Sequence, residues 1–239
     1  MPKNPTISVI IPTLNEEVLL RNTVEHTLSK ACHLDELEII VVDAGSSDAT
    51  VASIEDLPVQ LYVEPQFKLQ KAKSLNYGIK KSSGDILLFL DADTLLPVNF
   101  DTLILQELNE QKCVGGAFEM RFISPSPLLF ILSKINSIRY RIWKTFYGDQ
   151  GIFCTKGVAL EVGGFPNTLM EAAFFCKQLM KYGKLAVISE PVMPSPRRFE
   201  GVGFWKVFGY DVLMWLKFMF GFSLKKQAKD YWKRNLENG

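Results

Sequence analysis

Two carboxylates one residue apart, Asp91 and Asp93, follow the apolar run Ile86-Leu87-Leu88-Phe89-Leu90. Acid groups at the edge of a buried run are costly unless a cation meets them there. A divalent metal answers that need, because Mg²⁺ and Mn²⁺ take oxygen ligands, keep several waters and bridge one or two carboxylates to a diphosphate. An Asp-x-Asp taken alone also suits a strand that simply ends in a polar loop. Two further polar clusters stand in the same relation to apolar runs. Thr13-Leu14-Asn15-Glu16 follows Ile7-Ser8-Val9-Ile10-Ile11-Pro12, and Asp43-Ala44-Gly45-Ser46-Ser47-Asp48 follows Leu37 to Val42. Three carboxylate-bearing run ends make a stronger signal than any one of them.

The elements that must position these groups alternate. The runs Ile7–Ile11, Leu37–Val42 and Ile86–Leu90 read as strands buried on both faces, and Val59–Val63 as a weaker one. Between them, Leu20, Val24 and Leu28 recur at helical spacing, introduced by Thr13-x-x-Glu16 with the spacing of a capping box. Ala49–Ile54 reads as a short helix, and Lys68–Lys81 as a longer one that stops before Gly84. This alternation predicts an α/β fold, with a mostly parallel central sheet covered by helices on both faces. In such sheets ligands bind beyond the carboxyl ends of the strands, where the acid clusters lie. The second half is less regular. A helix is expected over Val98–Gln111 and strands over Val114–Ile123, Ile152–Cys154 and Leu185–Ser189. A turn is expected at Gly148-Asp149-Gln150-Gly151, and helices over Leu169–Tyr182 and Phe204–Phe222.

Bulk properties exclude other chemistry. A formal net charge of +1 over 239 residues gives no field for binding nucleic acid. Cys32, Cys113, Cys154 and Cys176 have no metal-site spacing and read as reduced, buried thiols of a cytoplasmic protein. His26 and His33 are expected to be ordinary surface residues. No signal peptide and no apolar run long enough to span a bilayer is read.

These motifs, in this order, resemble the family-2 glycosyltransferases of the GT-A nucleotide-sugar-binding fold. Asn76-Tyr77-Gly78 and Gly84-Asp85 join the clusters above in the resemblance. Gly163-Gly164-Phe165-Pro166, Leu169-Met170-Glu171 and Ser195-Pro196-Arg197-Arg198-Phe199 are similar to a bacterial non-processive subgroup. The resemblance covers about residues 6 to 205. It implies a nucleoside-diphosphate sugar as donor, often UDP-linked, and transfer with inversion. It places Pro12, Glu16, Asp43 and Asp91 at the nucleotide, with Asp43 accepting from the uracil N3–H, as an acceptor-only side chain should. Asp93 falls to the metal, Mn²⁺ or Mg²⁺, as a Lewis acid for the leaving diphosphate. Lys71 stands where the subgroup tends to have Arg, within reach of the diphosphate. Arg197 and Arg198 are candidates to clamp a diphosphate or an anionic acceptor.

The sequence departs from the family where inversion needs a general base. The usual Glu-Asp pair reads Glu171-Ala172, leaving Glu171 and Asp149 as candidates. Residues 1–199 are expected to form the transferase domain and residues 200–239 a helical extension. Phe204–Phe222 is rich in Phe and Trp and is followed by Lys225, Lys226 and Lys229. It suits either a cover for the sheet or a helix resting on the inner face of a membrane beside anionic lipid. With the apolar 128–146 segment it suits a rim for an unidentified acceptor, including a lipid-linked one. A degenerate protein that binds the sugar nucleotide without transferring it is the alternative.

Overall fold

The computed structural model describes residues 6–110, 113–122 and 124–224. The first half follows the expected alternation: β1 (Ile7–Thr13), α1 (Leu20–Lys30), β2 (Leu37–Asp43), β3 (Gln60–Val63), α2 (Lys71–Lys81) and β4 (Ile86–Phe89). Next come β5 (Thr94–Leu95), α3 (Phe100–Glu110), β6 (Cys113–Met120), α4 (Pro127–Trp143), β7 (Ile152–Thr155) and α5 (Lys156–Glu161). The chain continues through α6 (Glu171–Leu179), β8 (Lys184–Pro194), α7 (Arg197–Val202) and α8 (Phe204–Met219). The strands form one sheet in the order β3-β2-β1-β4-β7-β6-β8-β5.

Strands β1 to β4 pair in parallel, as runs buried on both faces should. Val9, Ile10, Ile11, Leu87 and Leu88 are wholly covered, each contributing about 1.5–3 kcal/mol of burial. The other half is mixed. β7 runs antiparallel to both β4 and β6, β6 is parallel to β8, and β5 is antiparallel to β8. The register between β6 and β8 shifts at Cys113/Gly115, and Gly115 and Gly116 lie against the backbones of β7 and β8. Glycine inside a strand marks such close approach.

Several expectations are corrected. Thr13-x-x-Glu16 is not a capping box: Thr13 ends β1, and α1 opens after Leu19 with no side-chain cap. The carbonyl of Glu16, not its carboxylate, accepts from the Leu19 and Leu20 N–H groups. The expected helix from Lys68 starts instead at Lys71, after Leu69 adopts a positive φ of 60°. The cysteines are free, but only Cys154 and Cys176 are buried; Cys32 is exposed and Cys113 half-buried, because the loop after α1 and the outer end of β6 lie at the surface. β8 runs on to Pro194, well past Ser189, because its far end pairs with β5. The expected Lys225, Lys226 and Lys229 contact lies outside the described residues. Among the described residues no helix is long and apolar enough to cross a membrane.

Candidate active site

The carboxyl ends of β1, β2 and β4 lie on one rim, laced together by side chains. The Asn15 N–H donates to Ser46 Oγ at 2.8 Å, and the Ser47 N–H to Asn15 Oδ1 at 2.9 Å. The Glu16 N–H donates to Thr50 Oγ1 at 2.7 Å. Asp43 is fully buried and folds its own turn. Its Oδ1 accepts from the N–H groups of Gly45 and Ser46 at 2.9 Å each, and its Oδ2 from the Ser46 hydroxyl. Pro12 is half-buried on β1 beside this turn, in register with Val42.

The Asp91–Asp93 turn is held at both ends. The Thr94 N–H donates to the Asp91 carbonyl at 3.1 Å, and the Ser195 N–H to the Asp93 carbonyl at 3.0 Å. Pairing of β5 with the end of β8 therefore delivers the start of α7 to the acid cluster. Arg197 Nη2 lies 2.5 Å from Glu16 Oε1 and 3.2 Å from Asp93 Oδ2. Opposite, Lys71 Nζ lies 2.5 Å from Asp91 Oδ1. Gly148 closes over this second pair: a Cβ there would come 2.8 Å from Lys71 Nζ and 3.3 Å from Asp91 Oδ2. Glycine at 148 leaves room for the lysine.

Asp149 and Glu171 complete the cluster. Gln150 fixes the Gly148–Gln150 turn, accepting from the Tyr147 N–H at 3.0 Å and donating to the Phe118 carbonyl at 3.3 Å. Glu171 opens α6, where a helix N-terminus favours an anion, and is only 6% exposed. Ala172 beside it points into the core. Asn15, Leu69 and Met170 all have positive φ, at 56°, 60° and 60°. Each stands one or two residues before Glu16, Lys71 or Glu171. For Leu and Met this is an outlier conformation, and such backbone strain persists where the surroundings enforce it.

Negative charge is in excess here. Burial, with help from Asp91 and against Arg197, pushes Asp93 up to about 6. Burial and Asp91, against Lys71, push Asp149 up to about 7. Burial also raises Glu171, opposed by Lys71. Lys71 titrates above its usual range despite burial, because Asp91 and Glu171 hold its charge. Asp149 Oδ1 and Glu16 Oε2 are buried without a partner among the described residues. Such a cluster attracts positive charge, and the arrival of a diphosphate would sharpen the need. Among the described residues no three metal-type side chains converge to hold a cation. A Mg²⁺-type ion held by one or two carboxylates, waters and substrate phosphates would fit that donor set, and Asp93 is a carboxylate that could hold it.

Two groups differ from expectation in their placement. Arg198 turns away from the cluster and pairs with Asp211 of α8, Nη2 to Oδ1 at 2.7 Å. Arg139, in the segment expected only to be apolar, is a buried cation. Its guanidinium lies 4.0 Å over the Tyr147 ring, and its Nη1 donates to the Thr145 carbonyl at 2.9 Å. Nothing in the spacing of α4 marked Arg139, because one inward cation in a helix has no period.

Asn76 carried no assigned role in the sequence, yet its amide brackets Phe165. Nδ2 donates to the Phe165 carbonyl at 2.8 Å, and Oδ1 accepts from the Phe165 N–H at 2.8 Å. Phe165 in turn stacks on Phe175 of α6 at 4.1 Å and meets Phe89 of β4 edge-on at 4.7 Å. Asn76 thereby fixes α6, with Glu171, against the strand that ends before Asp91. Asn76→Ala strands two backbone groups and is expected to cost about 2–3 kcal/mol. Urea unfolding should show a lower midpoint with an unchanged m-value; an unchanged midpoint would deny the bracket its role.

Comparison with known proteins bears on the family and the fold. Residues 8–161 match the family model described as Glycosyl transferase family 2. A curated relative from Campylobacter jejuni, named GalNAc(5)-diNAcBac-PP-undecaprenol beta-1,3-glucosyltransferase, is 31% identical over 111 residues, covering 44% of this chain and 35% of its own length. The chain thus spans about a third of that relative. Among solved structures, the mannosyltransferase PcManGT from Pyrobaculum calidifontis, in complex with GDP-Man and Mn²⁺, has a TM-score of 0.63 at 25% identity, covering 81% of this chain and 57% of that one. S. aureus TarS 1-349 in complex with UDP has a TM-score of 0.65 at 18% identity, over 81% and 62% of the two chains. The latter shows the fold alone: a GT-A-like mixed sheet flanked by helices.

Proposed function

The chain belongs to glycosyl transferase family 2, and on that premise we propose that it moves a hexosyl group from a nucleoside-diphosphate sugar, UDP-linked, to an acceptor hydroxyl with inversion. The observation that carries this reading is the meeting of Asp91, Asp93, Glu16, Lys71 and Arg197 at one rim, with Asp149 and Glu171 beside them. The transferase domain is residues 1–199, and residues 200–239 are its extension.

Pro12, Glu16, Asp43 and Asp91 bind the nucleoside in this scheme. Asp43 accepts from the base through a carboxylate held still by its own turn. Asp91 takes the ribose. Mn²⁺ or Mg²⁺ held at Asp93 supplies Lewis-acid stabilisation of the leaving diphosphate. Lys71 and Arg197, now paired with carboxylates, turn to the diphosphate oxygens when the donor enters. In the transfer, the bond from the sugar's anomeric carbon to the diphosphate oxygen breaks as the acceptor oxygen bonds to its opposite face. The acceptor's proton passes to Asp149 or Glu171. Both are buried, which raises both carboxyls; Asp149 is pushed up to about 7, in the working range of a base.

A second reading, binding without transfer, is motivated by Ala172, which puts a methyl group in the core where the family usually carries its base. Thermal melting against a panel of UDP- and GDP-sugars with Mn²⁺, followed by assay of nucleotide release, separates these. Transfer predicts a stabilising donor and slow release of UDP that Glu171→Gln or Asp149→Asn lowers about 100-fold or more. Stabilisation with no release leaves only binding; no stabilisation by any donor overturns both.

A further inference from the structure

Helix α4 is apolar on both sides. Its inward side carries Leu129, Leu132 and Tyr140 together with Ser133 and Arg139, all buried, while Ile131, Ile135, Ile138 and Ile142 point to solvent. Ile138 and Ile142 are 61% and 62% exposed. Their spacing of three and four residues sets them in one row along the helix. Helix α8 has a matching outer row in Trp205, Leu213, Leu216 and the adjoining Phe220, with Trp205 70% exposed. Its inner residues Met214 and Phe218 pack with Leu169 and Ala173 around the start of α6. Trp143 at the end of α4 meets Trp215 of α8 edge-on at 5.5 Å, which brings the two helices together at that point. Contiguous apolar surface of this kind marks a contact site.

Charge identifies the occupant. From Ser124 to Trp143 and from Gly201 to Leu224 the sequence holds one carboxylate, Asp211, and Arg198 engages it. Of the cations in the same stretches, Arg139 is buried and Arg141 pairs with Glu119 of β6, so Lys134, Lys206 and Lys217 carry the charge of this face. Lys134 and Lys206 are exposed beside the apolar rows. The sequence after Leu224 is also basic, with Lys225, Lys226, Lys229, Lys233 and Arg234 against Asp230 and Glu237. A basic segment does not seek a basic rim, so that stretch is a poor cover. A second copy docked face to face would set like charges together, since an isologous contact pairs a patch with itself.

We propose that the joint outer face of α4 and α8 seats this protein on an anionic lipid bilayer. Apolar side chains enter the headgroup boundary, tryptophans lie at its level, and lysines meet lipid phosphate. The inner side of α4 holds Arg139 against Tyr147, the residue before the Gly148–Gln150 turn. The seating rests on exposed side chains and stands whether or not sugar transfer is confirmed.

The test is cosedimentation of the full chain with vesicles of phosphatidylcholine alone or with one quarter phosphatidylglycerol, at 0.1 M and 0.5 M salt. The expected result is binding to the anionic vesicles that weakens at high salt. Ile135→Glu with Ile138→Glu should cut it at least tenfold with an unchanged melting temperature. Lys134→Glu with Lys206→Glu, which spares the apolar rows, should cut it severalfold. No binding by the wild type overturns the proposal, as does equal binding by every variant. A dimer in light scattering that the isoleucine variants split, without vesicle binding, assigns the face to a second copy instead.

Discussion

Asp93→Ala is expected to lower sugar transfer about 1,000-fold while leaving the fold at least as stable. The first effect follows from removing the carboxylate assigned to the cation. Lewis-acid stabilisation of a leaving diphosphate is worth several kcal/mol, and each 1.36 kcal/mol is about tenfold in rate. The second follows from crowding. Burial and Asp91 raise the Asp93 carboxyl to about 6, so its ionised form weighs against the folded state. Between its ordinary value near 4 and about 6 the folded protein binds the proton that the unfolded chain releases, and stability falls as pH rises through that window. The variant escapes this fall. In metal-free buffer its melting temperature should equal or exceed that of the wild type at pH 7, and the difference should fade towards pH 4. Rates measured with saturating donor and Mn²⁺, beside melting curves at the two pH values, decide both points. A variant that transfers sugar within tenfold of the wild type would remove Asp93 from the reaction.

The next largest effect is on stability, at Gly115. A Cβ there would lie 2.4 Å from the Phe153 carbonyl oxygen and 3.0 Å from the Cys154 Cα, both backbone atoms of β7. Backbone in a paired strand cannot swing aside as a side chain can. Gly115→Ala should therefore cost about 3 kcal/mol, the upper range for overpacking. For a chain of 239 residues that is a drop of about 6–12 °C in melting temperature. Gly157 is the control. It lies within α5, an added Cβ meets nothing within 4 Å, and alanine there should gain up to about 1 kcal/mol. Opposite signs for one chemical change would show that the sheet contact, rather than glycine's freedom, sets the cost. Equal small effects would contradict the close approach.

The sequence made the left half of the sheet readable because Ile7–Ile11, Leu37–Val42 and Ile86–Leu90 are apolar at every or nearly every position, which parallel strands covered on both sides demand. The right half was harder for a physical reason. β5 is two residues long, and the extension of β8 to Pro194 exists only because β5 pairs with it, a long-range fact with no local period. The acid cluster was legible, since Asp91, Asp93 and Glu16 follow strands whose ends had to meet. Thr13-x-x-Glu16 misled because the strand kept Thr13 and the turn used Glu16's carbonyl, leaving its carboxylate to Arg197. Lys71 was placed near the diphosphate by resemblance alone, and only the fold sets it against Asp91. Arg197 and Arg198 are adjacent and alike in sequence, and only the helix turn between them sends one to Asp93 and the other to Asp211. Arg139 was hidden because α4 is apolar on both its buried and its exposed sides, so no polar face marks which way a cation points.

Arg197 lies in the same short helix as Arg198, and that helix leads through Gly203 into α8. One end of this unit grips Glu16 and Asp93, and the other end carries the tryptophan row. In the proposed scheme a dication at Asp93 would compete with the guanidinium for one carboxylate, and loading the rim would loosen that grip. By thermodynamic reciprocity, whatever steadies α8 from outside must alter the affinity of the rim by the same factor as the rim alters it. A lipid surface would then act on this protein as an effector as well as a resting place.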